Sequence, residues 1–206
     1  MTERVKKQLD LLNARAYRAR RVAPAIDPKA AEAQWDHHTE AGDAARFVYA
    51  CACEKEAVFH GEDLFGFNRY CTGALANGRF GNVVVDYPGI LQNGLCAIVE
   101  QAKALRPMAD DEAARYYDGI VTCYEAAFGL VDMYEQAARA AGNLRLANAL
   151  LQVPRRGARD YYEALIVLRF ISYILRLNRC VHLPLGRFDV YMKPYYEAFK
   201  QKYLNI

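Results

Sequence analysis

Three things are scarce in this sequence. The first is length in its apolar runs: Arg169 and Arg176 interrupt the longest of them well before the roughly 20 residues that a membrane span requires. No span is expected. The second is metal-ligand spacing. Six cysteines are present, Cys51, Cys53, Cys71, Cys96, Cys123 and Cys180, but there is no CxxC pair and no matching histidine, so no zinc site is expected. Free thiols of a reducing compartment are expected instead. The third is charge of one sign: the formal net charge is only +3, which calls for neither nucleic acid nor a lipid surface. Arg15, Arg18, Arg20 and Arg21 read as a solvated helix end. The charged stretch Met1–Lys7 leads into no apolar core, so no secretory leader is read there and a cytoplasmic location is expected.

What is present is apolar spacing at three and four residues. A chain of 206 residues with 53% hydrophobic residues carries one domain over 1–206 with a real core. A first helix is predicted from Val5 to about Val22. A second, from about Asp27 to Thr39, carries Trp35 and the adjacent His37 and His38, which diverge by about 100° on a helix and cannot share one ion. Asp43 is the expected cap of a third helix reaching about Phe59. His60–Asp63 reads as a turn, Leu64–Tyr70 as a short strand and Gly73–Gly81 as a loop. Cys51 and Cys53 point about 200° apart on a helix and read as small buried hydrophobes.

Asn82–Val85 is predicted to be a short strand, with Asp86 capping a helix marked by Leu91, Leu95, Ile98, Ala102 and Leu105. Asp110 or Asp111 starts a long helix to about Ala141, stopped by Gly142-Asn143. A short helix from Leu144 to Leu151 follows, then Pro154–Arg159, then a helix from Tyr161 to Leu177 capped by Asp160 and Glu163. Arg155, Arg156 and Arg159 leave two readings open: an anion site at a helix start or helix-flanking charge. Arg179–Leu183 reads as extended, and a last helix from Tyr191 to about Leu204 is interrupted at Pro194.

The stretch Pro184-Leu185-Gly186-Arg187-Phe188-Asp189-Val190-Tyr191-Met192-Lys193-Pro194-Tyr195-Tyr196 crowds Arg, Asp and aromatic rings into a backbone bounded by prolines. It resembles the Gly-Arg-Phe-Asp-Gln-Tyr-Met-Tyr-Pro-Tyr-Tyr segment of the glycyl radical enzymes, the pyruvate formate-lyase-like family, with Val190 and Lys193 replacing Gln and Tyr. Two further stretches fall in the family's order. One is Asn82 to Leu95 with Asp86-Tyr87, where Asn82 and Val85 replace the family's His and Pro. The other is Val153-Pro154 to Leu165. The turn at Gly61–Gly66 is similar to the family's acidic turn. The resemblance covers about Glu62 to Tyr196.

The resemblance implies a fold that is mainly α with a few short strands, the N-terminal helical layer of a partial α/β barrel. It implies lyase, acyltransferase or dehydratase chemistry by an enzyme whose glycyl radical is installed by a radical S-adenosylmethionine activating enzyme. It also implies substrate positioning by Asn82 and, approximately, His182. The residue-level alternatives are a core histidine at 182 and a loop amide bonding its own backbone at 82. Asp86, Tyr87, Gly186, Arg187, Asp189, Tyr191 and Pro194 carry the motifs structurally. The family's radical cysteine loop and its Arg-Val-x-Gly-Tyr glycine loop do not occur in these residues, so this chain by itself is expected to hold no cofactor and to be inactive. Its expected partners are the activating enzyme and the rest of a split enzyme, with a homo-oligomer left open. The alternative is a non-catalytic helical interaction protein built on the same scaffold.

Overall fold

The computed structural model describes residues 2–14, 35, 39–54, 57, 81–82, 84–177, 180 and 182–203. The readings made for His37 and His38, the basic cluster at 15–21, the second helix beyond its end, the stretches 60–80 and Cys71 lie outside them. The elements in order are α1 (Glu3–Asn13), α2 (Glu40–Ala52), α3 (Tyr87–Asn93), α4 (Cys96–Leu105), a 3-10 turn (Arg106–Met108), α5 (Asp111–Ala140), α6 (Leu144–Leu150), α7 (Tyr161–Leu177), α8 (Phe188–Tyr191) and α9 (Lys193–Tyr203).

The long helix α5 begins and ends where local chemistry dictates. The Asp110 carboxylate accepts from the Ala113 N–H at 2.9 Å, satisfying one of the free donors of the first turn. Gly142, at φ +76°, takes the left-handed position that ends it. Its apolar face buries Ala127, Leu130, Val131, Tyr134 and Ala138 against α2, α6 and α4. Helix α7 packs against α9, α3 and α2 and is apolar on most of its circumference: Ala164, Val167, Phe170, Ile171 and Tyr173 are all buried. Each such large side chain contributes about 1.5–3 kcal/mol by leaving water.

Several expectations are corrected. The first helix is described over Glu3–Asn13, and the rest of its expected span, 15–22, lies outside the described residues. Thr39, not Asp43, caps α2: its hydroxyl accepts from the Gly42 N–H at 3.1 Å, while Asp43, one turn in, pairs with Arg46. That helix ends at Ala52, not Phe59. The expected single helix through Leu91 to Leu105 is two, broken at Gly94 with φ +77°. Asn82 has φ +59° and His182 φ +55°, which is incompatible with extended backbone. The described part of 82–85 is accordingly no strand, and only an isolated bridge at Gly81 remains among the described residues. The last break falls at Met192, and Pro194 sits in the first turn of α9, where its missing N–H needs no partner.

The core is rich in tyrosines held neutral. Burial, and then the Glu54 carboxylate, pushes the Tyr173 hydroxyl far above the usual tyrosine range. Burial also raises Tyr87, Tyr124 and Tyr195 and pushes the Cys51 thiol up to about 12. An unfolded chain loses these protons first, so above about pH 9 the unfolded state binds fewer protons and stability falls as pH rises. The urea midpoint should therefore be flat between about pH 7 and 8 and drop steadily from about pH 9 to 11; a midpoint that rises over that interval would contradict the buried-tyrosine account.

Candidate functional site

The short helix α3 is the hub at which the three sequence stretches meet. Asp86 starts it: one carboxylate oxygen accepts from the Gly89 N–H at 3.1 Å. Tyr87, the next residue, is 1% exposed and stacks on Tyr191, with centroids 5.6 Å apart and planes at 25°. The first stretch and the last are thereby packed ring on ring.

The middle stretch closes over the other end of α3. The Ala158 N–H donates to the Leu91 carbonyl at 2.8 Å, the Leu95 N–H to Pro154 at 2.9 Å and the Cys96 N–H to Arg155 at 3.0 Å. The Tyr195 hydroxyl donates to the same Leu91 carbonyl at 3.1 Å. These bonds pair backbone groups that the break at Gly94 would otherwise leave buried and unmatched. Gly94 and Gly157 are small for a reason: a Cβ on Gly157 would stand 2.1 Å from the Gln92 carbonyl oxygen.

The Gly186-Arg187 stretch leads into α8 beside Val84. Gly186 has φ +61°, and a Cβ there would lie 3.2 Å from Val84. Arg187 donates to both carboxylate oxygens of Asp189, at 3.0 and 2.9 Å, out in solvent; the guanidinium bonds hold Asp189 below the usual carboxylate range. The Tyr191 hydroxyl donates to the Leu185 carbonyl at 2.8 Å, and burial, with Tyr87 beside it, pushes Tyr191 up to about 12. Met192 is buried and Pro194 exposed.

Asn82 and His182, 100 positions apart in the chain, are adjacent. The Asn82 N–H donates to the His182 carbonyl at 3.1 Å, and both residues hold positive φ. Both side chains are exposed, so residue 182 is no core histidine, and neither side chain makes a hydrogen bond among the described residues. What the arrangement offers chemically is an amide and an imidazole borne by adjoining backbone, each able to donate to and accept from hydroxyl groups.

Two of the three arginines of the basic stretch, Arg155 and Arg159, are already paired. Arg155 donates to Asp132 at 2.8 Å and to the Phe128 carbonyl at 3.2 Å. The Glu163 carboxylate, 4% exposed, takes the Arg159 guanidinium and the Arg159 backbone N–H, the latter at 2.8 Å. Sequence reasoning also missed the Tyr173 hydroxyl on Glu54, 2.8 Å apart and buried; neither residue carries a local signal for the other, 119 positions away.

The radical loops named by the resemblance are not found in these 206 residues. Cys51, Cys53 and Cys180 are buried, Cys96 and Cys123 half-buried, and burial raises Cys51, Cys123 and Cys180, so these thiols stay protonated. None of the thirteen glycines of the sequence stands in an Arg-Val-x-Gly-Tyr context. Among the described residues no three His, Cys, Asp or Glu side chains could hold a metal ion, and no helix is long and apolar enough to cross a membrane.

Comparison with known proteins accords with this geometry. No curated protein matches the chain. A structure on 1,2-propanediol dehydration in Roseburia inulinivorans is 21% identical, with a TM-score of 0.53, over 84% of this chain and 22% of that one. A glycyl radical enzyme from Archaeoglobus fulgidus is 21% identical, with a TM-score of 0.54, over 64% of this chain and 19% of the other. The glycerol-bound B12-independent glycerol dehydratase from Clostridium butyricum is 21% identical, with a TM-score of 0.52, over 84% and 21%. The chain thus spans about a fifth of the length of the structures it matches, and shares with them the helical part of their fold. The pyruvate formate lyase-like family profile matches residues 51–203, a range that takes in α3 and all three interlocked stretches, and the chain belongs to that family.

Proposed function

We propose that this chain is the N-terminal helical layer of a glycyl radical enzyme acting on a small polyol, and that its own share of the work is to orient the substrate through Asn82 and His182. The radical cysteine and glycine belong to residues outside these 206, whether in the same polypeptide or in a partner, and an activating enzyme would install the radical there. No step of the radical chemistry is assigned to this chain.

The observation that supports the reading most is the Asn82–His182 pair. Two residues with positive φ are costly for non-glycine side chains, of order 1 kcal/mol each, and they are held by one backbone hydrogen bond. Such backbone is kept where it aims a side chain. An amide and an imidazole carried on adjoining backbone suit vicinal hydroxyls, the chemistry named for two of the similar structures, 1,2-propanediol and glycerol. Dehydration is therefore favoured over acyl transfer.

In the activated enzyme containing this chain, Asn82→Gly and His182→Gly test the idea. Glycine fits both φ values without strain, so folding should hold while each variant loses about 10- to 100-fold in kcat/KM for glycerol or 1,2-propanediol. The yield of glycyl radical should not change. Wild-type kcat/KM for both polyols in both variants would remove the positioning role.

A further inference from the structure

A second site lies away from Asn82 and His182, where the start of α7 meets α9. The two helices and the neighbouring α6 enclose a cavity of about 330 Å3, within the size range of small-molecule sites. Its walls are rings. Tyr161 lies 5.6 Å from Phe199, and Phe199 lies 5.1 Å from Tyr203, centroid to centroid; Tyr162 and Tyr195 complete the lining.

The charges at this cavity are not balanced. The Arg145 guanidinium lies 3.9 Å over the Tyr162 ring, and the Lys202 ammonium lies 5.1 Å from the centre of the Tyr203 ring. Neither has a carboxylate partner among the described residues. Arg159 is different, since Glu163 neutralises it. The one acid in the lining is Asp160, whose carboxylate is engaged by the Glu163 N–H at 2.8 Å. The cavity therefore carries an excess of positive charge over an aromatic floor.

We propose that this cavity binds a small organic anion with a planar apolar body, Arg145 and Lys202 taking the charge and the rings taking the body. A bare anion leaves the rings wet, and a neutral ring leaves two cations unmatched; only a ligand with both parts uses both features. Arg145 is suited to this because its fork can meet a carboxylate or phosphate while its face stays on Tyr162. The site owes nothing to the polyol reading and stands or falls apart from it.

Phenyl phosphate is the probe, titrated calorimetrically into the 206-residue chain, with inorganic phosphate and phenol as its two halves. Saturable one-to-one binding of phenyl phosphate is expected below about 10 mM, with either half about tenfold weaker. Arg145→Gln and Lys202→Gln, both on exposed helix faces, should each weaken it about tenfold while the far-ultraviolet circular dichroism stays that of the parent. No saturable binding, equal binding of inorganic phosphate, or full affinity in both variants would each overturn the proposal.

Discussion

Gly94→Ala is expected to lower folding stability by about 4 kcal/mol. The new Cβ would stand 2.3 Å from the Arg155 carbonyl oxygen and 2.4 Å from the Arg156 Cα. Those are backbone atoms, which cannot swing aside as a side-chain tip can, and the loop that carries them is tied down by the Leu95 and Cys96 N–H groups. Relief would require the middle stretch to lift off α3, giving up those bonds. Gly142→Ala is the internal control. Its φ of +76° matches the +77° of Gly94, but a Cβ there meets nothing within 4 Å. That variant should lose only the left-handed backbone cost, about 1 kcal/mol. The difference between the two, read from urea denaturation, holds the interlock of the first and middle stretches together with the further backbone cost of the ψ of 172° at Gly94. Equal losses would mean that the loop at 154–157 yields freely.

Tyr173→Phe is expected to cost about 3 kcal/mol. The ring, 1% exposed, stays the same size, so packing against Phe170 and Tyr134 is kept and only the hydroxyl is lost. That hydroxyl donates at 2.8 Å to Glu54, a carboxylate itself only 7% exposed. A charge-assisted bond is stronger than a neutral one, and its loss leaves a buried carboxylate short of a donor. The bond spans from the residue just past α2 to the middle of α7, so the variant should also speed hydrogen exchange at the C-terminal turn of α2. A cost below about 0.5 kcal/mol would show that solvent reaches Glu54 and replaces the phenol.

What could be read from the sequence was mostly what is local. Asp86, Asp110 and Asp160 were legible as caps because each serves an N–H three residues on, and α5 and α7 were legible from long apolar stripes. The break at Gly94 was not. Leu91, Leu95, Ile98, Ala102 and Leu105 keep helical spacing straight through it, and the break is imposed by residues 154–157, some 60 positions away in the sequence. β-branched Val84 and Val85 suggested a strand, but the left-handed backbone at Asn82 overrode propensity. Thr39 and Asp43 are both good caps, and only the observed helix start chooses between them. Arg155 and Arg159 both looked free for an anion: Asp132, which takes Arg155, sits on another helix, and Glu163, which takes Arg159, read only as a cap.

The site was legible in part and by likeness. Asn82 and His182 were named from the family pattern, and nothing in their spacing foretold that one would bond the other's backbone. The packing of Tyr87 on Tyr191 matters more for the argument. Had the resemblance been accidental, the Asp86 and Gly186 stretches would have had no reason to meet. They meet, and Leu91 accepts a bond from each of the other two stretches.

The central claim is that this chain works as one part of a glycyl radical enzyme. Its most direct test is native mass spectrometry of the chain purified from its own cells without air, joined to electron paramagnetic resonance after activation. The account predicts an assembly or polypeptide larger than the 23.3 kDa of this chain, carrying the cysteine and Arg-Val-x-Gly-Tyr loops and giving a glycyl radical signal. A stable monomer of 23.3 kDa, with no larger partner and no radical, would contradict it.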